Sequence, residues 1–248
     1  MRRLLPVLLA PIVLFVAVVP ATAATHAAHV ADSALAQYRA AVSDAKQQQS
    51  VQWVLQYTGA FHELLTTTDG VQSGSQAMLV TSKGQSGFAN EVLLPNGTAY
   101  LKGTALGLQD GVGLTASSAS ASAGTWWAFT KSTANDQQVA DGLTVPYTVK
   151  DLAYSVSPKQ PHLSFGTPTV LGGQGLSGPQ RVLVIKNIAT GVLGNETLYI
   201  SEGDTPLPLE LKIPKLHETY TYTWGDKAIA PTAPGPTKSG SSLSFVEG

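Results

Sequence analysis

The 248-residue sequence contains no cysteine. That excludes a disulfide framework, a thiolate metal site, a cysteine nucleophile and an acylated cysteine anchor. Charge is scarce as well: Asp, Glu, Lys and Arg make up 12% of the chain, the formal net charge is −1, and no basic run occurs. Nucleic-acid binding needs clustered Lys and Arg to neutralise phosphates, so no nucleic-acid partner is expected. Nor is there a G-x-S-x-G elbow for a hydrolase serine. What remains is 43% hydrophobic residues, enough for a substantial core, and without disulfides the chain must rely on that core.

The start has its own signature. Arg2 and Arg3 precede the apolar run Leu4 to Val19, and Ala21-Thr22-Ala23 then offers a small-x-small cleavage site, the pattern of a secretory signal peptide. The run is shorter than the ~20 residues of a spanning helix and carries Pro6 and Pro11, which disfavours a retained anchor. A secreted or cell-envelope location is therefore expected. Residues 1–23 read as signal, 24–31 as linker, 32–230 as one domain, and 231–248 as a disordered Pro/Gly/Ser-rich tail in which Leu243, Phe245 and Val246 are able to dock. Losing Arg2 and Arg3 takes two positive charges from the formal −1 and leaves −3. Cleavage after Ala23 would leave Ala24-Thr25-His26, whose amine, two amides and imidazole can surround Cu(II) or Ni(II) in a square plane; no other metal and no cofactor is indicated.

Within the domain, Asp32 to Gln49 reads as a helix with Leu35, Tyr38, Ala41, Val42 and Ala45 on one face and Asp32 or Ser33 as its cap. From Ser50 to about Ala230 strands dominate. Period-two alternation puts Val51, Trp53, Leu55 and Tyr57 on one face, and does the same for Leu207, Leu209, Leu211 and Ile213, and for Tyr220, Tyr222 and Trp224. Further strands are expected around Gln76–Thr81, Gly87–Leu94, Thr98–Lys102, Thr125–Thr130, Arg181–Ile188 and Glu196–Ser201, with positive-φ turns at Asp69-Gly70 and Asn96-Gly97.

Such a sheet has one dry face that something must cover. The candidates are the N-terminal helix, the segment after Gly103 (Leu106, Leu108, Val112, Leu114) and Asp136 to Ser155 (Val139, Leu143, Val149, Leu152). Helices in the middle of a strand-rich chain point to a curled sheet with helices on its concave side. Gly103, Gly107, Gly111 and Gly113 make the second cover a weak helix by propensity, which reads as a loosely held cover able to open.

The segment "GTAYLKGTALGLQ", followed by "AGTWWAFTK" and "LTVPYTVKDL", resembles the LppX/LprG-type mycobacterial lipoproteins, in which a strand leads into a helix and then into "aGkWv". The resemblance covers roughly residues 50–226 and is strongest from Gly97 to Phe129. It implies an α+β fold, a large curled mostly antiparallel sheet of the LolA-like half-barrel type with helices on its concave face. It also implies a lipid or lipoglycan ligand with acyl chains between sheet and helices. Those lipoproteins carry an acylated cysteine after the signal; this chain has none, so lipid anchorage is not inherited.

Motifs that mimic catalysis read otherwise. "GQGLSG" at Gly173 to Gly178 is followed by Pro179 and a β-rich run where a dinucleotide site needs a helix. "SDAK" (Ser43 to Lys46) lies on a surface helix and "KSG" (Lys238 to Gly240) in the tail. His62, His162 and His217 are isolated, and Asn96 of the two N-x-[ST] matches, Asn96 and Asn195, is accounted for by a hairpin turn. Trp126 and Trp127 must face opposite ways, with Trp127 going inward beside Phe129.

The reading is thus of a secreted, noncatalytic carrier of a lipid or other hydrophobic ligand. Its apolar cavity is expected to be lined by Trp53, Leu55, Tyr57, Leu79, Leu101, Leu106, Leu108, Trp127, Phe129, Leu209 and Tyr222. The alternatives are a protein-interaction or sensor module in envelope signalling, as the related RseB-like regulators imply, and a secreted hydrolase. Contact with a membrane would be peripheral.

Overall fold

Alternation along most of the longer strands gives them one apolar face and one wet face, and thirteen strands hydrogen-bond into a single sheet in the computed structural model. The structure describes residues 34–59, 61–130, 142–154, 163–172, 178–188, 196–240 and 243–246. The signal, linker and His26, along with Val139, His162, Asn195 and most of "GQGLSG", lie outside them.

The first six strands form a meander: β1 (Ser50–Thr58), β2 (His62–Gly70), β3 (Gly74–Ser82), β4 (Gln85–Leu93), β5 (Thr98–Gly103) and β6 (Trp126–Thr130). β7 (Ser164–Phe165) and β8 (Thr169–Leu171) both pair with β9 (Gln180–Ile188), which leads through β10 (Glu196–Ser201) and β11 (Pro208–Ile213) to β12 (Glu218–Gly225). β12 then pairs with β1 and joins the halves, so the order is β13-β6-β5-β4-β3-β2-β1-β12-β11-β10-β9-β7. All pairings are antiparallel except that of β13 (Thr237–Ser239) with β6. This is the α+β, curled, mostly antiparallel half-barrel expected from the sequence.

Two helices cover the inner face of one half. α1 (Ala34–Ala45) buries Tyr38, Ala41, Val42 and Ala45, and α3 (Val145–Tyr154) buries Val145, Val149 and Leu152. The two helices are tied where the Tyr38 hydroxyl donates to the Leu152 carbonyl at 2.5 Å. Both pack with Val51, Ile185, Leu198, Ile200, Leu211 and Tyr222 of the sheet. Over the other half lie a π-helical turn, Gly107–Gly111, and the short helix α2 (Ala116–Ser122), whose N-terminal N–H of Ser118 is capped by the Thr115 hydroxyl. Here Leu93, Leu101, Leu108, Leu114 and Phe129 form a second buried cluster.

Several expectations are corrected. Asp69 and Gly70 end β2 and the chain turns after them, at Val71 to Ser73; the Asn96-Gly97 turn stands, with Gly97 at φ 82°. A further two-residue turn has positive φ at both Lys83 (51°) and Gly84 (78°). The tail is ordered over its described residues: it supplies β13, and Leu243 is buried in the second cluster with Phe245 packed against it.

The glycines after Gly103 are not signs of a loose cover. A Cβ on Gly107 would sit inside the Phe88 carbonyl, and one on Gly111 inside the Met78 sulfur, so these glycines let the turn press directly onto β3 and β4. Thr104 fixes the same junction, its amide donating to the Phe88 carbonyl at 2.9 Å and its hydroxyl accepting from the Phe88 amide at 3.0 Å. Gly107→Ala meets rigid backbone and is expected to cost about 3 kcal/mol in urea unfolding, whereas Gly111→Ala meets a flexible thioether and should cost about 1 kcal/mol or less.

Candidate functional site

The inner face is built from the same alternating positions that sequence periodicity selects. On β1, Trp53 and Leu55 lie opposite Tyr222 and Tyr220 of β12. An aromatic row follows: Trp53 and Tyr220 are 5.9 Å apart, Tyr220 and Tyr222 stack at 6.4 Å, and Tyr222 and Trp224 stack at 6.0 Å. Tyr222 is buried, but Trp53, Tyr57, Tyr220 and Trp224 are only half-buried. Beside them Leu55, Leu65, Met78, Val80 and Ala89 make a third cluster, against which Leu106 and Val112 pack.

The residues expected to line one cavity fall into separate places. Trp53, Leu55, Tyr57 and Tyr222 surround the aromatic row, Leu106 joins the third cluster, and Leu101, Leu108, Trp127 and Phe129 belong to the second. Trp127 and Phe129 do face inward, opposite Leu101 and Ala99, while Trp126 faces out beneath the Lys102 ammonium, 5.9 Å from its ring. Two residues are elsewhere. Leu79 is 49% exposed on the outer face, between Leu64 of β2 and Phe88 of β4. Leu209 sits at a bulge, where Tyr199 pairs with Glu210 but Ile200 with Pro208; the extra residue turns it to the outer face, where it packs with Val182 and Val184.

A polar band that the sequence reading missed crosses this face between the clusters. Trp53 Nε1 donates to Asp69 Oδ2 at 3.0 Å, and the Thr148 hydroxyl of α3 donates to the same oxygen at 2.7 Å. Gln76 Nε2 donates to Glu91 Oε2 at 2.8 Å. Asp69 and Glu91 are both buried, and Asp69 Oδ1 has no hydrogen-bond partner among the described residues. Burial pushes the Asp69 carboxyl up to about 7, against the lowering effect of the Thr148 and Trp53 hydrogen bonds, and pushes Glu91 up to about 8. At the other end of the aromatic row, burial raises Glu218, whose Oε2 accepts from the Tyr220 hydroxyl at 3.0 Å. Burial and the nearby Glu218 charge raise Glu63. The signal for Glu91 was present in the sequence, a lone acid in register with Ala89 and Leu93 on an otherwise apolar edge.

Among the described residues, no group of three or more His, Asp or Glu side chains could hold a metal ion. Ser43 and Lys46 are exposed, Lys238 lies in β13 with its ammonium 5.6 Å from the Trp127 ring, and His62 and His217 are exposed, His217 in a left-handed turn at φ 59°. Asn96 Oδ1 accepts from the Thr98 amide at 3.0 Å within its hairpin turn. The site therefore offers an apolar, aromatic surface crossed by two buried carboxyls that burial pushes toward the protonated form.

Comparison with solved structures finds LprF from Mycobacterium bovis at 13% identity and a TM-score of 0.43, covering 80% of this chain and 96% of that one. The lipoprotein LppX from Mycobacterium tuberculosis is similar at 11% identity and a TM-score of 0.44, with 80% of this chain and 98% of that one covered. These are proteins of the type that the Gly97 to Phe129 segment resembles. No family model and no curated protein matches the chain.

The raised carboxyls fix a sign for pH dependence. Asp69 keeps its proton in the folded state up to about pH 7 but loses it near pH 4 when unfolded, so stability falls as pH rises between those values. The loss is on the order of a few kcal/mol, at ~1.4 kcal/mol per pH unit. Asp69→Asn, which imitates the protonated acid, is expected to match the wild type only below about pH 4, the unfolded-state value, and to exceed it by a few kcal/mol at pH 8; denaturant unfolding at the two pH values checks this.

Proposed function

We propose that the protein is a noncatalytic carrier of a lipid or similarly hydrophobic ligand, held between the curled sheet and the elements on its inner face. The observation that supports this reading is the half-buried state of the inward aromatics. Trp53, Tyr57, Tyr220 and Trp224 face the sheet's covered side, where a sealed core would bury them fully. Apolar surface of this kind holds acyl chains by burial and dispersion, at ~0.8 kcal/mol per methylene before ordering costs, so strong polar anchors are not needed. A lipid or lipoglycan fits the resemblance of the Gly97 to Phe129 segment. An envelope or extracellular location would bring the protein to such ligands, with peripheral membrane contact; no helix among the described residues is long and apolar enough to cross a membrane.

A second reading has its own support. Leu64, Leu79 and Phe88 are 44%, 49% and 39% exposed and lie side by side across β2, β3 and β4, an apolar row on the outer face suited to a protein partner.

Uptake measurements separate the two. Delipidated protein is expected to bind a fluorescent long-chain fatty acid or phospholipid. Leu106→Trp, which takes the room of about two methylenes, should weaken binding roughly tenfold or more while unfolding shows the fold retained. Leu79→Ser on the outer face should leave uptake unchanged. A well-folded wild type that takes up no fatty acid, phospholipid or glycolipid would overturn the carrier reading.

A further inference from the structure

The strands from β12 through β1 to β6 contain four acids, and all of them point inward. Glu218, Glu63, Asp69 and Glu91 take the same side of the sheet as Trp53 and Leu55, where burial raises each of them. The outward positions of these strands hold Thr, Gln, Ser and Asn among apolar side chains. Among the described residues, Lys102 is the only Asp, Glu, Lys or Arg at an outward position there. An antiparallel sheet with one wet face ordinarily puts its charges on that face. This one does the reverse.

The outer side has an apolar centre. Leu64, Leu79 and Phe88 stand exposed side by side, and Val92 pairs with Tyr100 further along β4 and β5. Cations border it. Lys102 lies opposite Asn90 on the next strand, its ammonium over the outward ring of Trp126, and the exposed Lys83 sits in the turn that joins β3 to β4. Neither lysine forms an ion pair among the described residues. The exposed acids Asp110, Glu202, Asp204 and Asp226 lie elsewhere, in the π-helical turn or past strand ends.

We infer that the outer face of β2 to β6 docks on the surface of an anionic lipid bilayer. Leu64, Leu79 and Phe88 enter the acyl boundary, Tyr100 and Trp126 sit at headgroup depth, and Lys83 and Lys102 meet anionic headgroups. The choice of a bilayer rests on the carrier reading, since a carrier has to meet its source of lipid. Charge favours it over a protein partner: a protein surface presents charges of both signs, whereas an anionic lipid surface asks for cations and for no acid nearby. Area favours it over a second copy. Three exposed side chains in one row fall short of the apolar centre of a stable interface, but the outer side of a curled sheet needs only one strip to touch a flat surface.

The absence of native cysteine allows one labelled position at a time. In the full-length chain, an environment-sensitive fluorophore on Leu79→Cys is expected to shift its emission to the blue when vesicles of phosphatidylcholine and phosphatidylglycerol in equal parts are added. The same label on Glu202→Cys should not shift. The contrast reports which face meets the lipid, so it holds even if the apolar run Leu4 to Val19 also inserts. Vesicles of phosphatidylcholine alone should need about tenfold more lipid, because the two lysines then lack anionic partners. Leu64→Asp with Phe88→Asp, added to the Leu79→Cys chain and shown to be folded by its thermal transition, should abolish the shift. No shift at position 79, equal shifts at 79 and 202, or an unchanged shift after the two Asp substitutions would overturn the docking face. Uptake of free fatty acid by the same chain would then leave the carrier reading intact. A shift at 79 that needs no vesicles and grows with protein concentration would mean that a second copy covers the row, and would overturn the docking face as well. A vesicle-dependent shift at 79 in a chain that takes up no lipid would support the docking face and overturn the carrier.

Discussion

Among the described residues, a single curled sheet has an apolar inner face and no second sheet presses against it. Everything else in this protein answers that constraint. With no cysteine to staple the chain, the inner face must be covered by segments that pack closely enough to hold, and the molecule uses three kinds. Two helices joined through Tyr38 and Leu152 cover the half built from β9 to β12 and β1. A π-helical turn with glycines at its contact points covers β3 and β4. The chain's last residues close the remaining side.

The polar band follows from the same geometry. Where the helix-covered and turn-covered halves meet, apolar packing is interrupted and Asp69, Thr67, Gln76 and Glu91 line the seam. A buried carboxylate is costly when charged, and the protein avoids that cost by keeping these groups protonated until near-neutral pH. The hydrogen bonds from Trp53 and Thr148 to Asp69 link the aromatic row directly to α3.

Legibility in the sequence tracked how faithfully each strand alternates. β1, β11 and β12 were readable because their apolar residues share one face over most of their length, and the half-barrel followed from them. β2 was not, since Leu64 faces out while Thr67 and Asp69 face in, which flattens the pattern and makes Asp69-Gly70 look like a turn. Leu209 was misplaced by one bulge that no periodicity announces, and Leu79 by an apolar side chain on the wet face. α2 was hidden by its serines, and the tail by a Pro, Gly and Ser composition that conceals two apolar anchors. The glycines after Gly103 were visible, but sequence cannot separate a glycine chosen for freedom from one chosen for contact; only the neighbouring Phe88 backbone does that.

The edges of the sheet carry a further consequence. A sheet of thirteen strands that ended in a long bare strand would offer other chains a ready ladder of unpaired amides and carbonyls. Among the described residues one edge ends in β13, three residues that include Lys238, and the other in the two residues of β7 and the three of β8. Neither is long enough to template a stranger's strand, so a chain that holds so much β structure can be crowded among its own copies without knitting into them.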